Sequence, residues 1–408
     1  MKFDNIAKKL GNEKKNKQKS EVGGFLGPIA RQRRLELHMT QSEVADSICS
    51  ISYLSKIESN KIYPNNRCLT MLMEKIDIKG WQVNMLENGP GIVRDSILYY
   101  YNLEKESFDT LYSEIELSTD NLYTDIAKIG YFDFIKEFDK AAPLVESVNK
   151  LTGSMEDETL KIFALYAGEY LIGVSNFTEA LSIADTLSDI DASENLQALI
   201  DEFKFRIYAK TMRPIQADAY YAKIVRRYSE TIHIERLIDA KLEYSLLECR
   251  EREYKCAIST LNSLKMVKDM EENPYFNMIM GISLIGDDRS IASKEYLDKI
   301  KEDSPVYPRV VEYCYHTCTD RDYFMNKVKK LNSTMNNFYL DYFIKEKEGT
   351  LTRADFESEL FITTYNNSDL YETINLLNYK VKFLVSKAKY KDASIEVLKI
   401  EKLIKRQE

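Results

Sequence analysis

The chain has 408 residues, of which 44% are hydrophobic, so it is long enough for two or three domains with a large core. It contains only 14 Gly and 8 Pro, which disfavours all-β and Gly-loop folds and favours long helices. Residues 1–80 carry 15 Lys and Arg against 9 Asp and Glu, a net charge of +6, whereas the whole chain carries −8. A basic N-terminal region followed by an acidic remainder is typical of a nucleic-acid-binding module attached to a domain with another role. The acidic charge of the remainder could also serve only its solubility.

No signal peptide and no apolar run of 18 residues are visible, which predicts a cytoplasmic protein with reduced thiols and no membrane contact. None of the six cysteines forms a Cys-x-x-Cys pair. Cys314, His316 and Cys318 lie close together, but no second ligand pair completes a zinc site. We therefore expect buried free thiols, no metal and no cofactor.

Residues 1–25 are polar and rich in lysine, which predicts a flexible basic arm that either adds phosphate contacts or is a solvated tail. A first helix is predicted from about Leu26 to Leu37. Ile29 and Leu37 should face inward, and Arg31 and Arg33 should lie outward or at the edge.

Residues 40–58 predict two short helices joined by a tight turn. Thr40 and Glu43 have the spacing of a capping box at the start of the first helix. Leu54 and Ile57 should form the buried face of the second helix. The side chains expected to point outward from it are Ser52, Tyr53, Ser55 and Lys56. A polar, exposed second helix after a tight turn is the geometry that enters a DNA major groove.

This stretch resembles the Cro/repressor (Xre) type of helix-turn-helix in its Thr40-Gln41 start, its Val44-Ala45 pair, Ser55 to Glu58 and the later Pro64. The form of residues 48–58 is similar to the peptide-pheromone regulators of Gram-positive bacteria, the Rgg, NprR, PlcR and PrgX group. In that group a long array of tetratricopeptide-like helical repeats follows the DNA-binding domain. Two residues depart from the pattern: Cys49 stands in the turn, and His38 replaces a common Gly.

The resemblance implies roles for individual residues. Gln41 would contact a phosphate at a helix N-terminus, and Lys61 is a further phosphate candidate, as are Arg31 and Arg33. Ser50, Ile51, Ser52 and Lys56 match positions that reach base edges. Tyr53 is either a DNA contact or a residue of the small core. Arg34 and Glu58 match a structural ion pair of the repressor family.

Gly80, Trp81 and the Gly89-Pro90-Gly91 run mark residues 80–92 as a linker between a domain at 26–79 and a body at 93–408. The body reads as successive helices. Residues 165–187, 242–264 and 381–400 share the spacing of a tetratricopeptide unit, and fainter copies lie at 131–151, 206–224 and 281–297. The turn anchors Phe177, Ile215 and Tyr254 are about 39 residues apart. The predicted fold is all-α, a helix-turn-helix domain followed by a right-handed α-solenoid of tetratricopeptide-like pairs, with an irregular helical bundle as the alternative.

The inner helices of such an array line a concave face, where polar side chains could clamp an extended peptide. By spacing, the candidates are Glu169, Arg206, Lys210, Asp239, Arg250, Asn375, Asn378 and Lys382. They could also be solvated residues or inter-helix salt bridges. In the resembling group, Asn and charged residues of the inner helices hold a short signalling peptide.

No catalytic motif is visible: the three histidines are widely spaced, and there is no Gly-rich phosphate loop and no nucleophile elbow. The sequence therefore predicts a non-enzymatic, cytoplasmic transcription regulator that binds double-stranded operator DNA as a homodimer and is switched by a short peptide, as in quorum sensing. One alternative is a regulator whose body binds a protein partner. Another is an enzyme with a regulatory head, such as a phosphatase acting on a phosphotransfer protein.

Overall fold

The computed structural model describes residues 26–59, 61–62, 64–78, 89–117, 120–187, 192–301, 303–304, 306–307, 310 and 338–405. Every regular element in these ranges is a helix. The predicted basic arm, Trp81, Cys314, His316 and Cys318 lie outside the described residues. The chain divides into two compact units, residues 1–207 and 208–408.

We call residues 26–78 the head. Its helices are α1 (Leu26–Glu36), α2 (Gln41–Ala45), α3 (Ile51–Glu58) and α4 (Asn66–Lys75). Their apolar faces meet in a small core, since Val44, Leu54, Ile57, Leu72 and Ile76 are all buried. Because these residues recur at intervals of three and four along short helices, burial of one face fixes how each helix is rotated.

The end of α1 differs from the prediction. Leu37 was expected to face inward, but it follows the last helical residue and is exposed. His38 adopts a left-handed conformation with φ 54°, and the Met39 N–H bonds the Arg34 carbonyl at 3.0 Å. This bond closes a Schellman-type turn that ends the helix before position 37 can complete the apolar face.

We call residues 89–405 the body. Its first eight helices are α5 (Gly89–Asn102), α6 (Lys105–Glu116), α7 (Leu122–Ile135), α8 (Phe138–Asn149), α9 (Asp157–Gly173), α10 (Phe177–Thr186), α11 (Glu194–Lys210) and α12 (Pro214–Glu230). The next four are α13 (Ile234–Arg250), α14 (Tyr254–Leu264), α15 (Pro274–Gly286) and α16 (Ser290–Leu297). After residues 311–337, which are not described, come α17 (Phe338–Glu348), α18 (Glu359–Asn367), α19 (Leu370–Ser386) and α20 (Tyr390–Lys405).

Each sequence repeat falls on two successive helices, as predicted, from residues 131–151 on α7 and α8 to residues 381–400 on α19 and α20. The Gly89-Pro90-Gly91 run, read from sequence as linker, begins α5. Proline is tolerated there because the first turn of a helix does not use its backbone N–H groups within the helix.

The turns of the body share one backbone conformation. In eight of the described turns a single residue with positive φ lies two positions before the next helix: Leu103, Lys136, Ser175, Met212, Ile232, Arg252, Asp288 and Ala388. The following N–H bonds the carbonyl five residues earlier, at 2.7–3.0 Å, as in Asn176 to Leu171 and Arg289 to Leu284. None of the eight is glycine, the residue that adopts this conformation most easily.

Glycine is instead used where helices cross. A Cβ added at Gly168 on α9 would lie 2.4 Å from the Phe203 ring of α11, and one added at Gly130 on α7 would lie 2.4 Å from the Tyr166 ring of α9. Both rings are fully buried. Gly168 is the small residue that the repeat pattern predicted at a helix crossing, and this short approach explains why a side chain is missing there.

The expectation of buried cysteines holds only in part. Cys68 and Cys249 are buried and Cys49 is half-buried, but Cys256 is exposed. Burial raises the pKa of the Cys249 thiol to about 12. No group of three or more His, Cys, Asp or Glu side chains among the described residues could hold a metal ion.

Candidate DNA-binding face and ligand-binding stripe

The start of α2 is fixed by a reciprocal cap. The Thr40 backbone N–H donates to Glu43 Oε2 at 2.7 Å, and the Glu43 N–H donates to Thr40 Oγ1 at 3.2 Å. The bond from the Thr40 backbone N–H, and after it a bond from the Thr40 hydroxyl to the same carboxylate oxygen, hold the pKa of the Glu43 carboxyl below its usual range. The predicted capping box is therefore confirmed.

A second cap begins α3. Ser50 Oγ accepts from the Tyr53 N–H at 3.1 Å, and the helix starts at Ile51. Leu54 and Ile57, each 1% exposed, anchor the helix on the head core. The predicted Ser50 contact is thus also the N-cap residue, and its hydroxyl already accepts a bond in the protein.

One face of α3 is open to solvent. Ser50, Ile51, Ser52 and Lys56 are exposed, with Ile51 at 51%, while Tyr53 is half-buried. Lys61, just beyond the helix, is also exposed, and its N–H bonds the Lys56 carbonyl at 2.8 Å. We call the surface formed by residues 50–56, except the buried Leu54, together with Lys61, the α3 face.

A buried charge network holds α3 against α1 and α2. Arg34 binds both carboxylate oxygens of Glu58, Nε to Oε1 at 2.6 Å and Nη2 to Oε2 at 2.9 Å. Its Nη1 donates to the Met39 carbonyl at 2.9 Å. Gln41 Nε2 donates to Glu58 Oε2 at 2.8 Å, so the side chain predicted to contact phosphate is used here to brace α3. These bonds satisfy a carboxylate that is only 3% exposed, which is what a buried charge requires.

Arg31 and Arg33 lie on α1 and are not part of the α3 face. Arg31 Nη2 donates to the Lys150 carbonyl at 3.4 Å. Arg33 Nε donates to the Ile76 carbonyl at 3.3 Å, and its Nη1 pairs with Glu36 at 3.0 Å. Both guanidinium groups are thus engaged within the protein.

Two of the predicted peptide-binding residues meet in the first unit. Arg206 of α11 pairs with Glu169 of α9 at 2.6 Å, and Glu169 is buried. Asp133 of α7 belongs to the same cluster, because its charge interacts with Glu169, Lys136 and Arg206. Burial raises the pKa of Asp133 well above its usual range, and within the described part of the chain neither of its carboxyl oxygens has a hydrogen-bond partner.

The sequence analysis missed Asp133, although a signal was present. Asp133 is the only acid in the run from Ile126 to Ile135, which apart from Lys128 is otherwise uncharged and rich in apolar residues. A helix of that kind is buried all round, so an acid within it must be buried as well.

In the second unit, Arg250 at the end of α13 reaches the start of α19. Its Nη2 pairs with Asp369 at 2.7 Å, and its guanidinium lies 5.0 Å from the centre of the Tyr371 ring. Asp369 also caps α19 by accepting from the Glu372 N–H at 3.0 Å. Sequence reasoning named Arg250 but not these partners.

Three further predicted residues continue from this point along α19. Asn375, Asn378 and Lys382 follow Tyr371 at spacings of four, seven and eleven residues, which places them on one side of the helix. Asn378 and Lys382 are exposed and Asn375 is half-buried. We call Tyr371, Asn375, Asn378 and Lys382 the α19 stripe. The remaining candidates, half-buried Lys210 on α11 and exposed Asp239 on α13, lie on other helices.

Comparison with known proteins identifies the head. The family model HTH_3, described as helix-turn-helix, matches residues 31–67. The transcriptional activator NprA of Geobacillus stearothermophilus is 25% identical over 125 residues. That match covers 28% of this chain and 30% of NprA, so it spans less than a third of the length of this relative.

Solved structures resemble a larger part of the chain. A Rap protein, solved in complex with competence and sporulation factor, superposes with a TM-score of 0.59 at 11% identity, covering 79% of this chain and 99% of Rap. Bacillus thuringiensis PlcR, solved with the peptide PapR7 and DNA, gives a TM-score of 0.22 at 15% identity, covering 82% of this chain and 100% of PlcR. The Rap likeness shows a shared fold.

No described helix is long and apolar enough to cross a membrane. The described helices and the fold likeness to Rap confirm the predicted class, an all-α chain of helix-turn-helix head and helical-repeat body. The chain thus carries a Cro/repressor-type helix-turn-helix domain before a body with the fold of Rap, and it resembles the helix-turn-helix regulators of transcription.

Proposed function

We propose that this protein is a DNA-binding transcription regulator of the cytoplasm, in which the head binds an operator and the body binds a short signalling peptide that changes operator binding. The observation that supports this proposal best is the α3 face. It is a largely polar helix surface that points outward because Leu54 and Ile57 anchor the opposite side in the head core, and the Arg34–Glu58 pair braces the helix. In this proposal Ser50, Ile51, Ser52 and Lys56 read base edges, and Lys61 binds phosphate. A small head makes few contacts, so tight binding would come from a homodimer on a two-fold-related site.

The operator-binding proposal is tested by replacing Ser52 and Lys56 with alanine together. Loss of two contacts to DNA should weaken operator affinity by at least about thirtyfold at fixed salt, because each contact contributes roughly 1–3 kcal/mol. Binding of the purified protein to DNA upstream of its own and neighbouring genes gives the measurement. Lys255→Ala, an exposed lysine of α14, is the matched control and should bind as the parent protein does. Unchanged affinity in the double variant would mean that α3 is not the recognition helix.

The α19 stripe supports the peptide part of the proposal. From Tyr371 to Lys382 it runs eleven residues, about 16 Å along a helix, which matches roughly five residues of an extended peptide. Asn side chains offer both a donor and an acceptor to a peptide backbone. Arg250, stacked on Tyr371, would be a cationic end for the peptide carboxylate, in competition with Asp369.

We expect Asn378→Ala to raise the peptide concentration needed to change operator binding by about tenfold, since a lost amide clamp costs on the order of 1–1.5 kcal/mol. The peptides to test are short ones encoded beside the gene, added to the operator-binding assay. Asn262→Ala, an exposed asparagine of α14, is the control. If Asn378→Ala responds to peptide as the parent does, the α19 stripe is not the peptide site.

A second candidate is a body that binds a protein partner. It is favoured by the apolar side chains that α20 exposes to solvent, among them Tyr390, Ile395, Leu398 and Ile404. Specific operator binding that responds to no peptide would make this candidate the better one.

A further inference from the structure

Helix α1 belongs to the head, yet one side of it packs on the body. It contacts α7 and the short 3-10 turn at Thr152–Ser154, both within the first compact unit. Gln32 is buried in this contact, and its Nε2 donates to Asp125 Oδ2 of α7 at 3.5 Å. These two residues are 93 positions apart, so the bond joins the head to the body.

Arg31 makes a second link beside the first. Besides its bond to the Lys150 carbonyl at 3.4 Å, its Nη1 would lie 3.1 Å from a Cβ built at Gly153. The head is therefore seated on the body through α1, while the α3 face stays exposed.

Asp125 is an acid in an unusual position. Burial raises its pKa to about 7, the Asp120 charge adds to this, and the Lys128 charge opposes it. Glu36, on α1, also raises the pKa, and the bond from Gln32 lowers it. Lys128 already pairs with Asp120 at 2.5 Å, so one positive charge is shared between two acids.

Gln32 has an unsatisfied group in the same contact, because its Oε1 is buried and has no hydrogen-bond partner among the described residues. An ionised carboxylate can only accept hydrogen bonds and cannot satisfy that oxygen. A neutral carboxylic acid has one donor and one acceptor, which are the groups that a primary amide pairs with. The unpaired Gln32 Oε1 therefore favours Asp125 with its proton. The bond from Gln32 Nε2 favours the ionised form, but burial of Asp125 outweighs it.

We propose that the Gln32–Asp125 contact is a proton-dependent latch, which holds the helix-turn-helix head on the first helices of the body when Asp125 is protonated and releases it when Asp125 ionises. When the head is in contact with the body, Asp125 holds a proton that it loses more easily when the head is released. When α1 leaves, water reaches Asp125, and the proton is lost at lower pH. The seating equilibrium constant should therefore fall by up to about tenfold per pH unit as pH rises from about 4 to about 7, and level off above.

Hydrogen exchange in the full chain, without DNA, measures this latch and does not depend on the proposed function. Protection factors of the α1 amides, corrected for the intrinsic effect of pH on exchange, should fall ten- to a hundredfold between pH 5.5 and 7.5. In Asp125→Asn, whose amide is neutral at every pH, they should change less than threefold. Asp139→Asn, which alters an exposed acid of α8, should keep at least a tenfold fall.

Two results would overturn the proposal: α1 protection that varies less than threefold with pH in the parent chain, or Asp125→Asn that retains the parent's pH dependence. Amides of α9 report whether the body of each variant is folded. If Asp125→Asn fails to fold, Gln32→Leu decides instead. It should lower α1 protection at pH 5.5 to the parent's value at pH 7.5, and parent-like protection at both pH values would refute the latch.

Discussion

Replacing Gly168 by alanine should destabilise the body by about 2–3 kcal/mol, although the change adds a single methyl group to a helix. The new Cβ would lie 2.4 Å from the Phe203 ring, which is fully buried and cannot move into solvent. Either α9 and α11 separate, or the ring leaves its preferred rotamer, and both loosen the surrounding core. Urea unfolding followed by circular dichroism measures the difference.

Gly91→Ala is the matched control, because a Cβ there meets nothing within 4 Å. It should stabilise α5 by up to about 1 kcal/mol, since alanine is the better helix former. The same chemical change is thus expected to have opposite signs at the two sites. Adding Phe203→Leu to Gly168→Ala should recover part of the loss. A Gly168→Ala variant as stable as the parent would show that the two helices do not cross this closely.

Replacing Arg34 by methionine should destabilise the head by about 3–5 kcal/mol, because it leaves the buried Glu58 carboxylate without its cation. Of the three side-chain hydrogen bonds to that carboxylate described above, only the one from the Gln41 amide would remain. Glu58 is the last residue of α3, so loss of this brace should also abolish the operator binding proposed above. Hydrogen exchange of residues 26–78 in the full chain measures the effect as a fall in protection of more than a hundredfold.

The neighbouring residue provides the control. Arg33 pairs with Glu36, and both side chains are more than a third exposed. Arg33→Met should therefore cost less than about 1 kcal/mol, as expected for an ion pair screened by water. Equal losses in the two variants would mean that burial does not distinguish these pairs. Changing Arg34 and Glu58 to methionine together should be milder than Arg34→Met alone, because no unpaired charge remains.

Much of the head was predictable because its determinants are local. The Thr40–Glu43 cap and the Leu54–Ile57 face depend on residues three apart, and such spacings translate directly into helix geometry. Leu37 was misassigned because helix periodicity does not show where a Schellman turn interrupts it.

The helix pairs of the body were also readable, since small residues such as Gly168 recur at the crossings. The hydrogen-bond and ion-pair partners of charged and polar residues could not be predicted from the sequence. Arg250 pairs with Asp369, 119 positions away, and Gln32 with Asp125, 93 positions away. Nothing in the local pattern around either residue specifies such a partner, because the contact exists only after the intervening helices have packed.

The eight described turns with a left-handed residue have a consequence for how such a chain can diverge. Their geometry is held by a main-chain bond, so leucine, lysine, serine, methionine and isoleucine all occupy the same position. Five of these residues are exposed and three are half-buried, so side-chain identity at the corners is almost free to drift, at a cost of roughly 1 kcal/mol relative to glycine. Architecture can then outlast sequence, which fits a chain that shares its fold with Rap at 11% identity while the family model matches only residues 31–67.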